Sequence, residues 1–335
     1  MKIKVAIVGV GGYTGLELVK ILLNHDIFEI SSVYGTEECE LDQIHTCLNY
    51  VYKKKIEKAD ISKISQESKL VFLALPHTQG IEYVSRLYDS GIKIVDLSAD
   101  YRLSHSRYEK YYQTHNDKDN VSNAIYGLVE HNREKIKTTN LVANPGCYPT
   151  ATLLALLPFL PFLDLKHSIF IDAKSGVSGA GKKLTYNSHF VNINENIFAY
   201  SPISHRHSPE IEEQIFKITC KNANIMFVPH LIPITRGMLI SVYAKLREDI
   251  EPLTLLKDMY KNECFIRIRD NCVQVKDVIG THFCDIYAKK EGSNLFISSC
   301  IDNLLRGASS QAVANANLMF NLKEDISLPK IAYVP

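Results

Sequence analysis

The first two dozen residues constrain the fold more than any other stretch of the chain. Residues 2–8 are rich in β-branched side chains and end in an unbroken apolar run, which is typical of a strand buried on both faces of a parallel sheet. A glycine-rich segment, residues 9–15, follows at once, and residues 16–23 have the apolar periodicity of a helix. A strand, a glycine turn and a helix in this order predict a doubly wound α/β domain.

The glycine segment also indicates a nucleotide ligand. Gly9, Gly12 and Gly15 are each separated by two residues, and Thr14 occupies the last position of the usual G-x-G-x-x-G pattern. Glycines at such a turn let the backbone approach a pyrophosphate, which the helix N-terminus then stabilises. We therefore expect contacts to a dinucleotide from these residues and from Tyr13.

The residues after the second predicted strand leave the choice of dinucleotide open. This strand covers residues 28–34 and is followed by Thr36, Glu37 and Glu38, with no arginine. An acid at this place favours the bare ribose of NAD, and an arginine favours the 2′-phosphate of NADP. The Thr36 hydroxyl can still donate a hydrogen bond to a phosphate.

Further predicted strands over residues 69–77, 93–97 and 141–143 complete an alternating α/β pattern. Ligands bind beyond the carboxyl ends of parallel strands, so Arg102 is a candidate clamp for a carboxylate or phosphate. A surface ion pair with a nearby aspartate is the alternative. The strongly polar residues 104–120 are expected to form a surface excursion.

Residues 144–150 read Asn-Pro-Gly-Cys-Tyr-Pro-Thr and lead into an apolar helix over residues 151–157. Pro149 suits the first turn of that helix, where its missing N–H needs no partner. Cys147 is thus expected at a helix N-terminus, where the dipole favours a nucleophilic thiolate. A small, buried and inert cysteine is the alternative interpretation.

Two further segments carry candidate site residues. Residues 174–183 form a small-residue loop after a strand over 168–173. This loop can bring backbone N–H groups and Ser178 to a phosphate or nicotinamide. A flexible linker is the alternative.

In the second segment Ser208 is the expected N-cap of a helix over residues 210–219. His207 precedes it, where the helix dipole favours the neutral imidazole.

The rest of the chain predicts a mostly antiparallel sheet and a C-terminal helix over residues 303–319. The strands of this sheet are expected over residues 224–229, 236–244, 264–269 and 294–301. We assign two domains: a dinucleotide-binding domain over 1–146, completed by the C-terminal helix 305–335, and a catalytic and oligomerisation domain over 147–304.

Composition excludes several classes of protein. The chain has 335 residues, with 38 Lys and Arg against 37 Asp and Glu, so no polyanionic or acidic membrane partner is indicated. Its eight cysteines lack the spacing of a disulfide framework or zinc site, and no apolar run is long enough to cross a bilayer. We expect a cytoplasmic enzyme with reduced thiols, and no metal, nucleic acid or membrane as partner.

Nine motifs in register resemble those of the N-acetyl-γ-glutamyl-phosphate reductase family, which is related to the aspartate-semialdehyde dehydrogenases. They lie at residues 12–15, 74–77, 96–102, 126–128, 144–150, 175–181, 194–196, 205–210 and 303–312. The resemblance covers nearly the whole chain. It departs from the family pattern at the missing arginine after the second strand, at Val129 and at Arg306 and Ser310.

The resemblance implies a Rossmann-type domain, an α+β catalytic domain and a homodimer or homotetramer. It implies NADPH-dependent reduction of N-acetyl-glutamyl 5-phosphate, a small acyl phosphate, to the semialdehyde through a cysteine thioester, in arginine biosynthesis. Cys147 would be the nucleophile, His207 the acid/base and Glu210 its partner. The other implied contacts are Arg102, His205, Arg206 and Tyr148 for substrate, and Gly9, Gly12, Tyr13, Thr14, Gly15, Thr36, Pro76, Ser178, Gly179 and Asn303 for the NADP(H) cofactor.

Three alternatives remain at this stage. An aspartate-semialdehyde dehydrogenase would keep the mechanism and change the substrate. A Cys/His hydrolase acting on amides would bind no nicotinamide. A non-catalytic dinucleotide sensor would bind the cofactor and would not need the thiol of Cys147.

Overall fold

A computed structural model describes residues 2–334. The chain divides into two compact units. One comprises the residues up to Pro145 together with Ala308–Pro329, and the other comprises Gly146–Gly307 together with the residues from Lys330 onward. Each unit is built around its own seven-stranded sheet. No helix within residues 2–334 is long and apolar enough to cross a membrane.

The first unit alternates strands and helices along the chain. In order, its elements are β1 Ile3–Val8, α1 Tyr13–Leu23, β2 Phe28–Tyr34, α2 Leu41–Ile44, β3 Ile56–Glu57, α3 Ile61–Glu67, β4 Leu70–Leu73, α4 Gly80–Leu87, β5 Lys93–Asp96, α5 His105–Tyr111, α6 Lys118–Asn123, β6 Ile125–Tyr126, α7 Val129–Thr138 and β7 Leu141–Ala143.

The sheet of the first unit is parallel throughout and confirms the predicted doubly wound fold. Its strand order is β3-β2-β1-β4-β5-β7-β6. The order reverses between β1 and β4, where Val5 pairs with Leu70. Ligands of such sheets bind in the crevice at this reversal. The glycine segment after β1 and Pro76 after β4 both lie at the carboxyl ends of the strands beside this reversal.

Most residues of the segment 104–120 are exposed, as the predicted surface excursion requires, but a few side chains anchor the segment in the interior. The segment contains helix α5 and the start of α6, and the side chains of Tyr108 and His115 are completely buried. The Tyr108 hydroxyl donates to Asp100 Oδ1 at 2.9 Å, and His115 Nε2 lies 2.8 Å from the Asp100 main-chain oxygen. Tyr108 and Tyr112 form a small core with Ile81 and Leu103, and the hydrogen bonds to Asp100 tie this core to the segment that follows β5.

The second unit follows a different order. Its elements are α8 Cys147–Leu156, β8 Ile169–Gly176, α9 Phe190–Ile193, β9 Phe198–Ala199, α10 Ser208–Thr219, β10 Ile225–Ile232, β11 Met238–Lys245, α11 Pro252–Met259, β12 Ile266–Ile268, β13 Cys284–Glu291 and β14 Asn294–Ile301. The strand order is β12-β13-β14-β11-β8-β10-β9.

This second sheet is mixed, with antiparallel pairings in the majority, as predicted. β10 runs parallel to β8 and β12 parallel to β13, while β9, β11 and β14 form antiparallel pairs. Strand β13 was missing from the prediction because its charged carboxyl end, from Lys289 to Glu291, hides the apolar alternation that precedes it. Helix α8 is buried at nine of its ten positions, which explains its uniformly apolar sequence.

The C-terminal segment begins with a π-helical turn, Leu305–Ser309, and continues as α12, Ser310–Met319. Every residue of α12 is buried, and the helix belongs to the first unit. Its Asn315 donates from Nδ2 to the Gly127 carbonyl and to Asn144 Oδ1. The alanines and asparagines of α12 thus permit close packing and satisfy buried backbone groups.

Two glycines of the loop after β1 provide a matched test of packing. A Cβ atom on Gly15 would lie 2.6 Å from the Gly9 carbonyl oxygen and 2.7 Å from Val10 Cα, whereas a Cβ on Gly11 would meet nothing within 4 Å. We expect Gly15→Ala to lower the free energy of unfolding by about 1–3 kcal/mol through overpacking. Gly11→Ala should change it by less than about 0.5 kcal/mol. Urea denaturation of both variants measures the difference, and equal effects would contradict the packing argument.

Candidate active site

Cys147 occupies the first position of helix α8. The preceding Gly146 is the N-cap, with φ −67° and ψ 156°, and the next positions hold Tyr148 and Pro149. Pro149 thus lies in the first turn, as predicted. The half-buried thiol is carried at the end of the helix where backbone N–H groups point outward and favour negative charge.

A buried carboxylate supports this turn. The Gly146 N–H donates to Glu210 Oε1 at 2.9 Å, and only 1% of Glu210 is exposed. The Gly146 carbonyl in turn accepts from the Thr150 hydroxyl at 2.9 Å. Glu210 lies in the first turn of α10, so one charge-assisted hydrogen bond joins the N-terminal regions of two helices.

Two histidine rings lie beside Tyr148, the residue after the cysteine. The His207 ring is 5.7 Å from the Tyr148 ring and 4.9 Å from the His205 ring. His207 itself is the N-cap of α10, which begins at Ser208. The predicted N-cap, Ser208, is therefore wrong by one residue. His207 already has the αR conformation, with ψ −16°, so the helix begins earlier in the chain than predicted.

The geometry defines the state of His205. Its Nδ1 accepts the His207 backbone N–H at 3.1 Å, so the neutral ring carries its proton on Nε2. Burial, and secondarily the charge of Arg206, lowers the pKa of His205 to about 4. His205 is consequently neutral at physiological pH, while Arg206 is exposed to solvent.

Tyr200 belongs to the same cluster and was missed by the sequence analysis. Its hydroxyl lies 3.0 Å from the Tyr148 hydroxyl, and its ring lies 5.5 Å from the His205 ring. Burial raises the pKa of Tyr200 to about 12 and that of Tyr148 above its ordinary value. Both hydroxyls are therefore protonated donors. Only the tyrosine's closeness in sequence to the histidine segment could have singled it out.

The small-residue loop after β8 is a structured turn, Val177–Ala180, and not a linker. Its Ser178 hydroxyl accepts from Asn303 Nδ2 at 3.0 Å. A Cβ on Gly179 would lie 3.0 Å from Ser175 Oγ, so this position is closely packed. The structure thus brings together Ser178, Gly179 and Asn303, which the sequence analysis proposed as cofactor contacts.

In the first unit, the glycine segment forms a tight backbone cradle. Gly9 has φ +90°, and a Cβ there would lie 2.2 Å from the Ala74 carbonyl oxygen. The space beside Gly11 is open. Gly12 is the N-cap of α1, which has no acidic residue in its first turn. Open space and the positive end of a helix fit the pyrophosphate of a dinucleotide.

Residues after β4 and β5 form a buried polar network at the same sheet edge. Asp100 accepts the N–H groups of Thr78 at 2.7 Å and Gly80 at 2.9 Å, which stabilises the start of α4. His77 Nδ1 accepts the Ala99 N–H at 3.0 Å. Burial, and then the charge of Asp100, raises the pKa of Asp96. The network fixes the backbone that follows Pro76.

Arg102 is buried, with 5% of its surface exposed. Its Nε donates to the Asn144 carbonyl and its Nη2 to the Leu97 carbonyl, each at 2.7 Å. The guanidinium therefore supports the backbone that leads toward residues 145–147. Its contact with substrate stays a prediction.

The end of β2 lies beside the end of β3. The Gly35 N–H donates to the Glu57 carbonyl at 3.1 Å, so Thr36 and Lys58 leave the sheet at the same edge. Lys58 is exposed, and its Nζ lies 3.9 Å from Glu38 Oε1. A lysine from the neighbouring strand thus provides a positive charge close to the segment that lacks an arginine.

Comparison with known families divides the chain at the same places. Residues 4–139 match a family model described as semialdehyde dehydrogenase, NAD binding domain. Residues 147–303 match a second model, semialdehyde dehydrogenase, dimerisation domain.

Solved structures show the same fold at low sequence identity. Aspartate semialdehyde dehydrogenase II of Vibrio cholerae, complexed with ASA, superimposes with a TM-score of 0.72 at 17% identity and covers 95% of this chain and 98% of its own. The Candida albicans enzyme with NADP gives a TM-score of 0.68 at 12% identity and covers 95% and 98%.

Relatives in sequence are much more similar. The N-acetyl-gamma-glutamyl-phosphate reductase of Wolinella succinogenes is 55% identical over 100% of this chain and 99% of its own length. That of Campylobacter curvus is 55% identical over 98% of both chains, and that of Halothermothrix orenii 44% over 99% and 100%. The chain therefore belongs to the N-acetyl-γ-glutamyl-phosphate reductase family, a family of oxidoreductases built from semialdehyde dehydrogenase domains.

Proposed function

We propose that this enzyme reduces N-acetyl-L-glutamyl 5-phosphate to N-acetyl-L-glutamate 5-semialdehyde and phosphate, a step of arginine biosynthesis. The observation that carries the proposal is Cys147 at the N-terminus of α8, beside a turn that bears His205 and His207. Relatives up to 55% identical over the whole chain bear the corresponding name. The free thiols of all eight cysteines favour a reducing compartment, and we propose the cytoplasm.

The proposed chemistry begins with the Cys147 thiolate, which attacks the acyl carbon. The C–O bond to phosphate breaks, phosphate leaves, and a thioester forms on Cys147. NADPH, when bound, supplies the hydride that reduces this thioester. Backbone N–H groups at the start of α8 stabilise the oxyanion that develops on the former carbonyl. His207 assists the final step as acid/base, and the C–S bond breaks to release the aldehyde and the thiolate.

The remaining site residues support these steps in the proposal. Glu210 accepts a hydrogen bond from the Gly146 N–H and so fixes the turn before the nucleophile. Neutral His205 and protonated Tyr148 offer uncharged hydrogen bonds to substrate, and exposed Arg206 and buried Arg102 add positive charge for its anionic groups.

We assign cofactor binding to the first unit, completed by α12, and catalysis and oligomerisation to the second. Gly9, Gly12, Tyr13, Thr14 and Gly15 would hold the pyrophosphate, because their backbone forms the open cradle at the start of α1. Thr36 and Pro76 extend this surface along the sheet edge. Ser178, Gly179 and Asn303 would contact the nicotinamide end.

Family membership weakens the alternatives. An amide hydrolase would have no need of the glycine cradle, and an aspartate-semialdehyde dehydrogenase resembles this chain at only 17% identity. A non-catalytic sensor does not explain a supported thiol at a helix N-terminus.

Removal of the thiol tests the mechanism. With NADP, phosphate and the semialdehyde, we expect Cys147→Ser to lose about a thousandfold or more of the phosphate-dependent NADPH formation, because no thioester can form. His207→Asn should lose about a hundredfold. NADPH absorbance measures both rates, and fluorescence titration should give unchanged NADPH binding.

Cys220→Ser is the matched control, since Cys220 is exposed and lies at the opposite end of α10 from His207. It should retain full activity. Phosphate-dependent turnover by Cys147→Ser would exclude the thioester route, and turnover of aspartate semialdehyde alone would move the substrate to the related family.

Lys58 is the proposed recognition group for the 2′-phosphate of NADP. It leaves the sheet beside Thr36, and a phosphate there would replace Glu38 as its partner. We expect Lys58→Ala to weaken NADPH binding about tenfold and to leave NADH binding unchanged. Lys55→Ala, at the opposite end of β3, is the control. Equal loss for both nucleotides in fluorescence titration would reject this role.

We propose a homodimer that is formed through the second unit. Met226, Phe170, Tyr243 and Phe296 are cross-strand neighbours on one face of its sheet, and the first three are 38–46% exposed. Such apolar rows are typical of subunit interfaces. The family model that matches this unit is described as a dimerisation domain.

A charge in this row tests the interface. Phe170→Glu should weaken self-association at least tenfold, because it places a carboxylate among apolar side chains. Sedimentation velocity over a range of concentrations measures the association. Tyr50→Glu, at a fully exposed site in the first unit, should leave it unchanged. Unchanged association of Phe170→Glu would exclude this face.

A further inference from the structure

One completely buried carboxylate, Asp302, has no part in the proposed chemical steps. It directly follows β14 and accepts several backbone hydrogen bonds. Its Oδ1 accepts the N–H groups of Leu304 at 2.9 Å and Leu305 at 3.0 Å, and its Oδ2 accepts that of Gly280 at 2.8 Å. A single side chain therefore shapes the segment that leads into the π-helical turn.

The same carboxylate pairs with Arg236. Arg236 Nε donates to Asp302 Oδ2 at 2.7 Å, and the arginine side chain is only 15% exposed. The next residue, Gly237, donates its N–H to Asn303 Oδ1 at 2.6 Å. Asp302 and Asn303 thus join the connection between β10 and β11 to the segment after β14. Ser178, which accepts from Asn303, is held by the same arrangement.

The segment held by Asp302 packs directly against the nucleophile. The Gly307 N–H donates to the Asp302 main-chain oxygen at 2.9 Å. A Cβ on Gly307 would lie 2.6 Å from Cys147 Cβ and 3.2 Å from Cys147 Cα, so the glycine backbone forms a wall against the cysteine. Because protein interiors are close-packed, a shift of this wall must also move Cys147 or open a gap beside it.

We propose that Asp302 is a positioning residue for Cys147, acting through the Leu304–Gly307 backbone and its ion pair with Arg236. The proposal rests on the proposed role of Cys147 as nucleophile. Replacing Asp302 by a neutral residue removes its ion pair with the largely buried Arg236 guanidinium. An amide there also replaces one acceptor oxygen by an N–H donor, so the segment relaxes. The reaction then slows because the thiol leaves its productive position.

The first test uses Asp302→Asn, which keeps the shape of the side chain. We expect kcat to fall at least tenfold. At each pH of a series, the rate of iodoacetamide alkylation at Cys147 should differ at least threefold from the rate in the wild-type protein. Peptide mass spectrometry must read this rate, because Cys47, Cys220, Cys264 and Cys272 are exposed.

Asp285→Asn is the matched control. Asp285 is also completely buried in the second sheet and pairs with an arginine, Arg267 Nε, at 2.6 Å. This variant should lose comparable thermal stability and keep the wild-type kcat and Cys147 alkylation profile. Equal effects of the two substitutions, or wild-type kcat and alkylation in folded Asp302→Asn, would overturn the proposal.

Gly307→Ala tests the wall itself and leaves Asp302 in place. Its new methyl group should push Cys147 aside, with the same fall in kcat and change in alkylation. Wild-type behaviour of a folded Gly307→Ala protein would overturn the proposal even where Asp302→Asn fails to fold. Alkylation needs no substrate, so it tests the effect of Asp302 on Cys147 independently of the proposed reaction.

Discussion

The hydrogen bond from the Gly146 N–H to the buried Glu210 carboxylate is the interaction on which the second unit's site depends. It fixes the backbone immediately before Cys147 and ties the start of α8 to the start of α10. The two helices then present their N-terminal ends, and with them the thiol and the histidines, in a defined arrangement. Helix N-termini favour anions, which suits both a thiolate and a phosphate-bearing substrate.

Backbone close approach is the second recurring constraint. Gly15 packs against the Gly9 carbonyl, and Gly307 packs against Cys147. In each case a side chain would displace the segment that the proposed chemistry uses. Glycine at these positions therefore serves packing, whereas the space beside Gly11 is open, as the proposed cofactor contact needs. The same residue type has two different physical roles within this chain.

Several buried charged groups are paired or hydrogen-bonded. Asp302 faces Arg236, Asp285 faces Arg267, and Asp100 accepts two backbone N–H groups and a tyrosine hydroxyl. Such groups add little net stability relative to apolar packing, but they specify which segments meet. In this protein they join segments distant in sequence to the regions around Cys147 and Pro76.

The sequence by itself determined the doubly wound first domain, the mostly antiparallel second sheet and the place of Cys147 in the first helical turn. These features depend on local periodicity, glycine spacing and the position of proline, which are written in neighbouring residues. The resemblance then supplied the family, and full-length relatives bear it out.

Only the tertiary structure decided which side chains meet. Tyr108 and His115 are buried, and the Tyr200 hydroxyl lies against that of Tyr148. The Gly146 N–H donates to Glu210, and Gly307, in the segment that Asp302 holds, packs against Cys147. Each of these pairings, and the burial of each ring, joins residues far apart in the chain or depends on the surrounding elements. No local pattern encodes such a contact, because it arises only when strands and helices distant in sequence pack together.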